Sequence, residues 1–121
     1  MYSDEKEYDM LYYSNSDITQ VARRVATLVN IHWADIEWKR LRKCNAKVGY
    51  VYDDSMKRGY YVLVSYSTIV AVIDTATDSL LDFLRWSYGY TATSAQHIAK
   101  FSHDYGAGKW GCEHRFTWRE G

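Results

Sequence analysis

Two hydrophobic periods run along this chain, one of three to four residues and one of two. Ile18, Val21, Ala22, Val25, Leu28 and Val29 recur at steps of three and four. That spacing lines one face of a helix, and Arg23, Arg24 and Thr27 fall off the stripe. Asp17, with Gln20 three positions later, supplies a capping-box start. Beyond Asn30 the apolar content continues through Trp33, Ile36 and Trp38. Either one helix runs to Lys43, or a kink between Asn30 and Trp33 makes two. A single helix of about 27 residues is long for so small a chain, so two segments are expected.

From Lys47 the period is two. Val48, Tyr50 and Tyr52 alternate with Gly49 and Val51, which predicts a strand. Residues 53–59 (DDSMKRG) have the composition of a hairpin loop, and the runs 60–66 (YYVLVSY) and 68–74 (TIVAVID) read as strands. Residues 75–79 make another turn. The run 80–88 (LLDFLRWSY) fits a strand or a short helix, and the short turns around it favour a strand. Thr93 with Gln96 is a second capping box, opening a helix that turns Ala95, Ile98, Ala99 and either Phe101 or Ser102 inward and stops at Gly106 and Gly108. Residues 110–118 (WGCEHRFTW) alternate enough for an edge strand, and 8–13 (YDMLYY) for a short one. The expectation is one α+β domain over 1–121. It comprises an antiparallel sheet of four or five strands with two or three helices packed on one face, behind a flexible segment at 1–16.

Composition changes this picture little. The chain has 121 residues, 47% hydrophobic and 25% charged, which suits an ordinary folded globule. No apolar run approaches a bilayer span, and the acidic start lacks the regions of a signal peptide, so a cytoplasmic protein with no membrane partner is expected. Proline is absent, so turns fall to Gly, Asn, Asp and Ser. Twelve tyrosines give large rings with one polar tip, a composition suited to half-buried strands and to binding surfaces.

Charge matters through its layout. The sum is zero, which argues against a protein that coats nucleic acid over its whole surface. Residues 1–17 carry a net of −4 and residues 18–58 a net of +5. Lys39, Arg40, Arg42, Lys43 and Lys47 concentrate the positive excess in a basic patch. It reads as a solvated helix end, or as the contact for an acidic or nucleic-acid partner.

Catalytic and metal chemistry find little support. The histidines are His32, His97, His103 and His114, and the cysteines Cys44 and Cys112; only Cys112 and His114 are closely spaced. Zinc needs three or four converging ligands, so no metal and no cofactor is expected. Ser102, His103 and Asp104 hold triad residue types, but neighbours on a helix diverge. Gly106-Ala107-Gly108-Lys109 follows a helix instead of opening one, the wrong end for a phosphate cradle. Asp74, Asp78 and Asp82 cluster around a turn, where carboxylates cap or solvate. No enzymatic activity is expected.

One segment pair is more specific. Ser65-Tyr66-Ser67-Thr68, followed by Val70 and Ala71, precedes Tyr88, Tyr90, Thr93, Ser94, His97, Lys100 and Phe101. This resembles a group of small proteins carried by phages and mobile elements of bacteria, in which an S-Y-S-T strand precedes a Y-S-x-T-T-S-x-H-x-x-K-F helix start. The likeness covers residues 60–106. Ile69 stands where members often carry proline.

The resemblance implies a strand bearing Tyr66 that faces the helix bearing His97. It also implies a non-enzymatic accessory role in the host cell, as an inhibitor of a bacterial defence complex of the anti-CRISPR kind. The partner would be a CRISPR effector protein or its guide RNA, met by Tyr66, Tyr88, Tyr90, His97 and Lys100. The alternative is a small nucleic-acid-binding accessory or regulatory protein that uses the basic patch, with tyrosines stacked on bases. The edge strand at 110–118 would also allow two copies to pair.

Overall fold

The computed structural model describes residues 15–83, 92–109 and 111–117. The first helix, α1 (Asn15–His32), begins two residues before Asp17, which therefore lies in its first turn and not at its cap. Its apolar stripe is buried as the spacing predicts: Ile18, Ala22, Val25, Leu28 and Val29 all lie in one core cluster.

The second helical segment expected after Trp33 does not form. A single 3₁₀ turn (Trp33–Asp35) closes α1, with the Ile36 N–H donating to the His32 and Trp33 carbonyls. Ile36 then turns extended at ψ 129°, and the chain enters a two-residue strand, β1 (Lys39–Arg40). Tertiary packing overrides helix propensity here. Ile36 and Trp38, two apart, both pack on the α1-side core. They lie so close over Gly49 that a Cβ there would collide with both.

The remaining strands are β2 (Ala46–Asp53), β3 (Arg58–Ser65), β4 (Thr68–Asp74), β5 (Ser79–Asp82) and β6 (His114–Thr117), with helix α2 (Ala92–Tyr105) between the last two. Among the described residues they form one six-stranded sheet in chain order, more than the four or five expected. Neighbours from β1 to β5 are antiparallel, and β2 pairs with β3 over eight positions, from Ala46↔Ser65 to Asp53↔Arg58. The last pair, β5 with β6, is parallel, so the sheet is mixed instead of wholly antiparallel. Parallel neighbours require a crossover, and α2 lies within that connection.

That crossover corrects a second expectation. The helices do not share a face: α1 packs with Tyr60, Val62 and Val64 of β3, whereas Ile98 and Phe101 of α2 pack with Leu63, and Tyr61 joins them. A strand's side chains alternate between faces, so these two sets are opposite sides of one sheet. Val62, Leu63, Val70, Ala71 and Val72 are all fully buried, as strands covered on both sides must be. At Val70 the register slips, with Leu63↔Ala71 followed by Val64↔Ile69. The Phe83 N–H donates to the carbonyl of this bulged residue at 2.8 Å.

Three fully buried aspartates are each matched by an arginine: Asp53 by Arg24, Asp74 by Arg58 and Asp82 by Arg115. Among the described residues no helix is long and apolar enough to cross a membrane. The short strand expected at 8–13 and the flexible segment expected at 1–16 lie wholly or largely outside the described residues, as does the second part of the 80–88 run, whose first part is β5.

Candidate functional site

The β1–β2 hairpin and the β3–β4 turn together line an open cleft of about 570 Å³. Its walls include Trp38, Arg40, Asn45, Lys47 and Tyr66, with Cys44, Ala46 and Val64 between them. The basic segment is therefore an edge strand and a tight turn, not a helix end. Short, Lys-bearing edge strands also resist pairing with other sheets.

On one side stands Trp38, against which Trp33 packs at 4.9 Å between ring centroids with the planes tilted by 43°. The Lys47 ammonium sits over both rings, at 4.5 and 5.2 Å. These distances are within cation–π reach. Arg40 is held by its Nε, which donates to the Cys44 carbonyl at 2.9 Å. Lys39 is exposed beside it on β1, and Lys43 occupies the turn in a left-handed conformation at φ 51°. Arg42 is drawn aside: its Nε donates to Asp104 of α2 at 2.8 Å, and this bond holds the Asp104 carboxyl below the usual carboxylate range.

On the other side stands Tyr66. It does not lie on the strand, as the resemblance implies, but in the two-residue turn closed by the Ser65↔Thr68 pair. Its φ is +59°, its N–H donates to the Asn45 carbonyl at 3.1 Å, and 62% of it is exposed. Such turns favour Asn or Gly, and a bulky residue held at positive φ costs on the order of 1–2 kcal/mol. The His97 ring backs Tyr66 at 6.2 Å between centroids. His97 is itself fixed by a 2.9 Å hydrogen bond between its Nδ1 and the Ser65 hydroxyl. Burial, then the nearby Lys100 charge, lowers the His97 pKa, so the ring is neutral at pH 7. Lys100 reaches the same wall and donates to Cys44 Sγ at 3.3 Å.

Of the residues expected to meet a partner, Tyr66 lines the cleft with Arg40 and Lys47, His97 lies buried behind Tyr66 and Lys100 touches Cys44 of the cleft wall, whereas Tyr88 and Tyr90 lie outside the described residues. Trp38 and Asn45, which line the cleft, did not stand out in the sequence as members of the site. The i, i+2 spacing of Ile36 and Trp38 was the available signal, since it marks an extended segment carrying both onto one face.

The other groupings of reactive residue types have structural explanations. Ser65 is fully buried, so the Ser65–His97 pair offers no nucleophile to a substrate. Burial pushes the Cys112 thiol up to about 11, which leaves little thiolate at neutral pH. Cys112 precedes β6, and its N–H donates to the Ser102 hydroxyl at 3.2 Å. Ser102 therefore faces the loop after α2, while His103 contacts Asp104 at 3.1 Å. Among the described residues no three His, Cys, Asp or Glu side chains are grouped to hold a metal ion.

No curated protein and no solved structure matches the chain. One protein family does match, over residues 39–117, a span that runs from β1 through β6 and contains the whole cleft apart from Trp38. The S-Y-S-T turn and the His97 helix fall inside that span, and the chain belongs to this family of unknown function, DUF8033.

Proposed function

We propose that the protein is a nucleic-acid-binding accessory protein whose cleft grips the phosphate backbone. The observation that supports this reading is the meeting of Arg40 and Lys47 with Trp38 and Tyr66 on one open cleft. Zero net charge is no obstacle, because screening limits each charge to about 8 Å at physiological salt. The local excess along 39–47 is what a strand would meet. Cations that neutralise phosphates, interleaved with rings that stack on bases, are the standard chemistry of sequence-tolerant strand binding.

Anisotropy of a labelled oligonucleotide, titrated with salt, tests this directly. Three phosphate contacts, from Lys39, Arg40 and Lys47, give a slope of about −2 in log affinity against log salt. Arg40→Ala with Lys47→Ala flattens that slope to about −0.7. No binding at low salt sinks the reading.

A second reading is the inhibitor of a bacterial defence complex that the S-Y-S-T resemblance implies. It is favoured by a different surface: Tyr50 and Tyr52 of β2 are each 47% exposed, and Met56 in the adjoining hairpin is 62% exposed. Aromatic and Met side chains are enriched where proteins meet. Retention of a purified effector complex by the wild type, abolished in Tyr52→Ala with Met56→Ala, supports it; retention that survives those changes removes this surface from the account.

A further inference from the structure

We infer that Tyr66 is a base-stacking platform that makes the cleft selective for single-stranded nucleic acid, taking one or two nucleotides at a time. This rests on the nucleic-acid reading above and names the class of strand. Backbone conformation and side-chain setting support it independently.

A two-residue hairpin turn is most cheaply built from Asn or Gly, which accept positive φ. Here the first turn position, at φ +59°, is occupied by a tyrosine whose ring is left 62% exposed. A strained bulky residue persists only where its surroundings over-determine it, and such residues gather at ligand sites. The surroundings do so here. The Asn45 carbonyl takes the Tyr66 N–H, the Ser65↔Thr68 pair closes the turn, and the His97 ring supports the tyrosine from behind. His97 cannot swing away, because its Nδ1 is bound to the buried Ser65 hydroxyl. The arrangement displays one aromatic face beside Arg40 and Lys47.

Stacking on that face requires a base whose own π-face is free. Duplexes bury those faces in the helical stack, so unpaired bases are selected. A cleft of about 570 Å³ lies in the range that seats a compact small-molecule-sized group, which suits a nucleotide or two.

The test is anisotropy with fluorescein-labelled oligo-dT and oligo-rU of graded length, against a blunt DNA duplex, at about 50 mM salt. Wild type, Tyr66→Phe, Tyr66→Asn and the Arg40→Ala/Lys47→Ala double variant are compared, with melting temperatures for each. Single strands are expected to bind at least about tenfold tighter than duplex. Tyr66→Phe keeps the affinity. Tyr66→Asn loses roughly 5- to 150-fold, the loss of one stacked base, while its melting temperature rises because the strain is relieved.

Equal affinity for single strand and duplex, or unchanged affinity in Tyr66→Asn, overturns the stacking role. If the double variant still weakens binding in that case, the phosphate-gripping reading stands alone. A melting temperature that falls along with affinity in Tyr66→Asn assigns Tyr66 to structure and also overturns the platform. No binding of any probe by the wild type overturns both inferences together.

Discussion

Asp78, in the turn between β4 and β5, holds Gly108 from thirty residues away: its Oδ2 accepts the Gly108 N–H at 3.0 Å. The same carboxylate takes the Ala107 N–H at 2.8 Å and the Glu113 N–H at 3.1 Å. The Gly106-Ala107-Gly108-Lys109 loop therefore is an anion cradle, with the chain's own aspartate as its anion. That contact ties the return from α2 to the sheet before β6 begins. Asp78→Ala leaves three amide donors without their acceptor and places alanine at φ 53°. Water reaches this half-exposed loop, so the expected loss is about 2 kcal/mol, read by urea denaturation. Asp78→Asn keeps one acceptor oxygen and tolerates the backbone, and loses about half as much.

Arg24 and Asp53 make unequal demands on the fold. Arg24 donates through Nε at 2.8 Å and Nη2 at 3.0 Å, and its side chain remains 46% exposed, whereas Asp53 is fully buried. The Arg24 hydrogen bond is the main cause that holds the Asp53 carboxyl far below the usual range, with the Ser55 hydroxyl and Met56 N–H adding to it. Removing the arginine strands a buried charge, while removing the carboxylate leaves a guanidinium that water can solvate. Arg24→Ala is therefore expected to cost more than Asp53→Asn in equilibrium unfolding at pH 7. The order reverses only if α1 docks independently of this pair.

His97 sets a pH dependence of definite sign. Its pKa in the fold lies below its ordinary 6.5, because burial and then Lys100 disfavour the imidazolium. The unfolded chain consequently binds its proton first as the pH falls, and stability declines below about pH 6.5 until the folded form titrates too. His97→Gln removes that segment of the stability–pH curve. Parallel urea titrations from pH 7.5 to 5 check this, and wild-type and variant curves of equal slope would contradict it.

Much of this architecture is legible in the amino-acid order, and the failures have physical causes. The apolar steps from Ile18 to Val29 and the β-branched run from Thr68 to Asp74 both form the elements they predict. The consecutive apolar residues of β3 and β4 also carry the sign of burial on both faces, which a one-sided expectation overlooks. Local propensity misleads at Ile36 and Trp38, where good helix formers follow but packing over Gly49 dictates extended chain. The parallel β5–β6 pair depends on where α2 sends the chain, information no local pattern holds. Within the site, Tyr66 and His97 stand out in the sequence through the S-Y-S-T resemblance. The junction of Tyr66 with Arg40 and Lys47 is a product of the hairpin and is visible only in three dimensions.

Trp38 offers a test that separates stability from binding at one position. Its indole Nε1 is buried and meets no hydrogen-bond acceptor among the described residues, a desolvation cost of about 1–3 kcal/mol. The ring itself is useful: it packs at a tilt against Trp33, lies under Lys47 and covers Gly49. Phenylalanine keeps an aromatic face in the same place and removes the stranded donor, though it fills less volume. The two changes oppose each other, so Trp38→Phe is expected to shift stability by less than about 1 kcal/mol. Trp38→Ala deletes the face as well and is expected to cost about 3 kcal/mol. Oligonucleotide affinity should follow the ring and not the stability: retained in Trp38→Phe, weakened in Trp38→Ala even at temperatures where that variant is fully folded. Equal affinity in the two variants would show that the Trp33–Trp38 wall serves the core alone, leaving Tyr66 as the aromatic contact of the cleft.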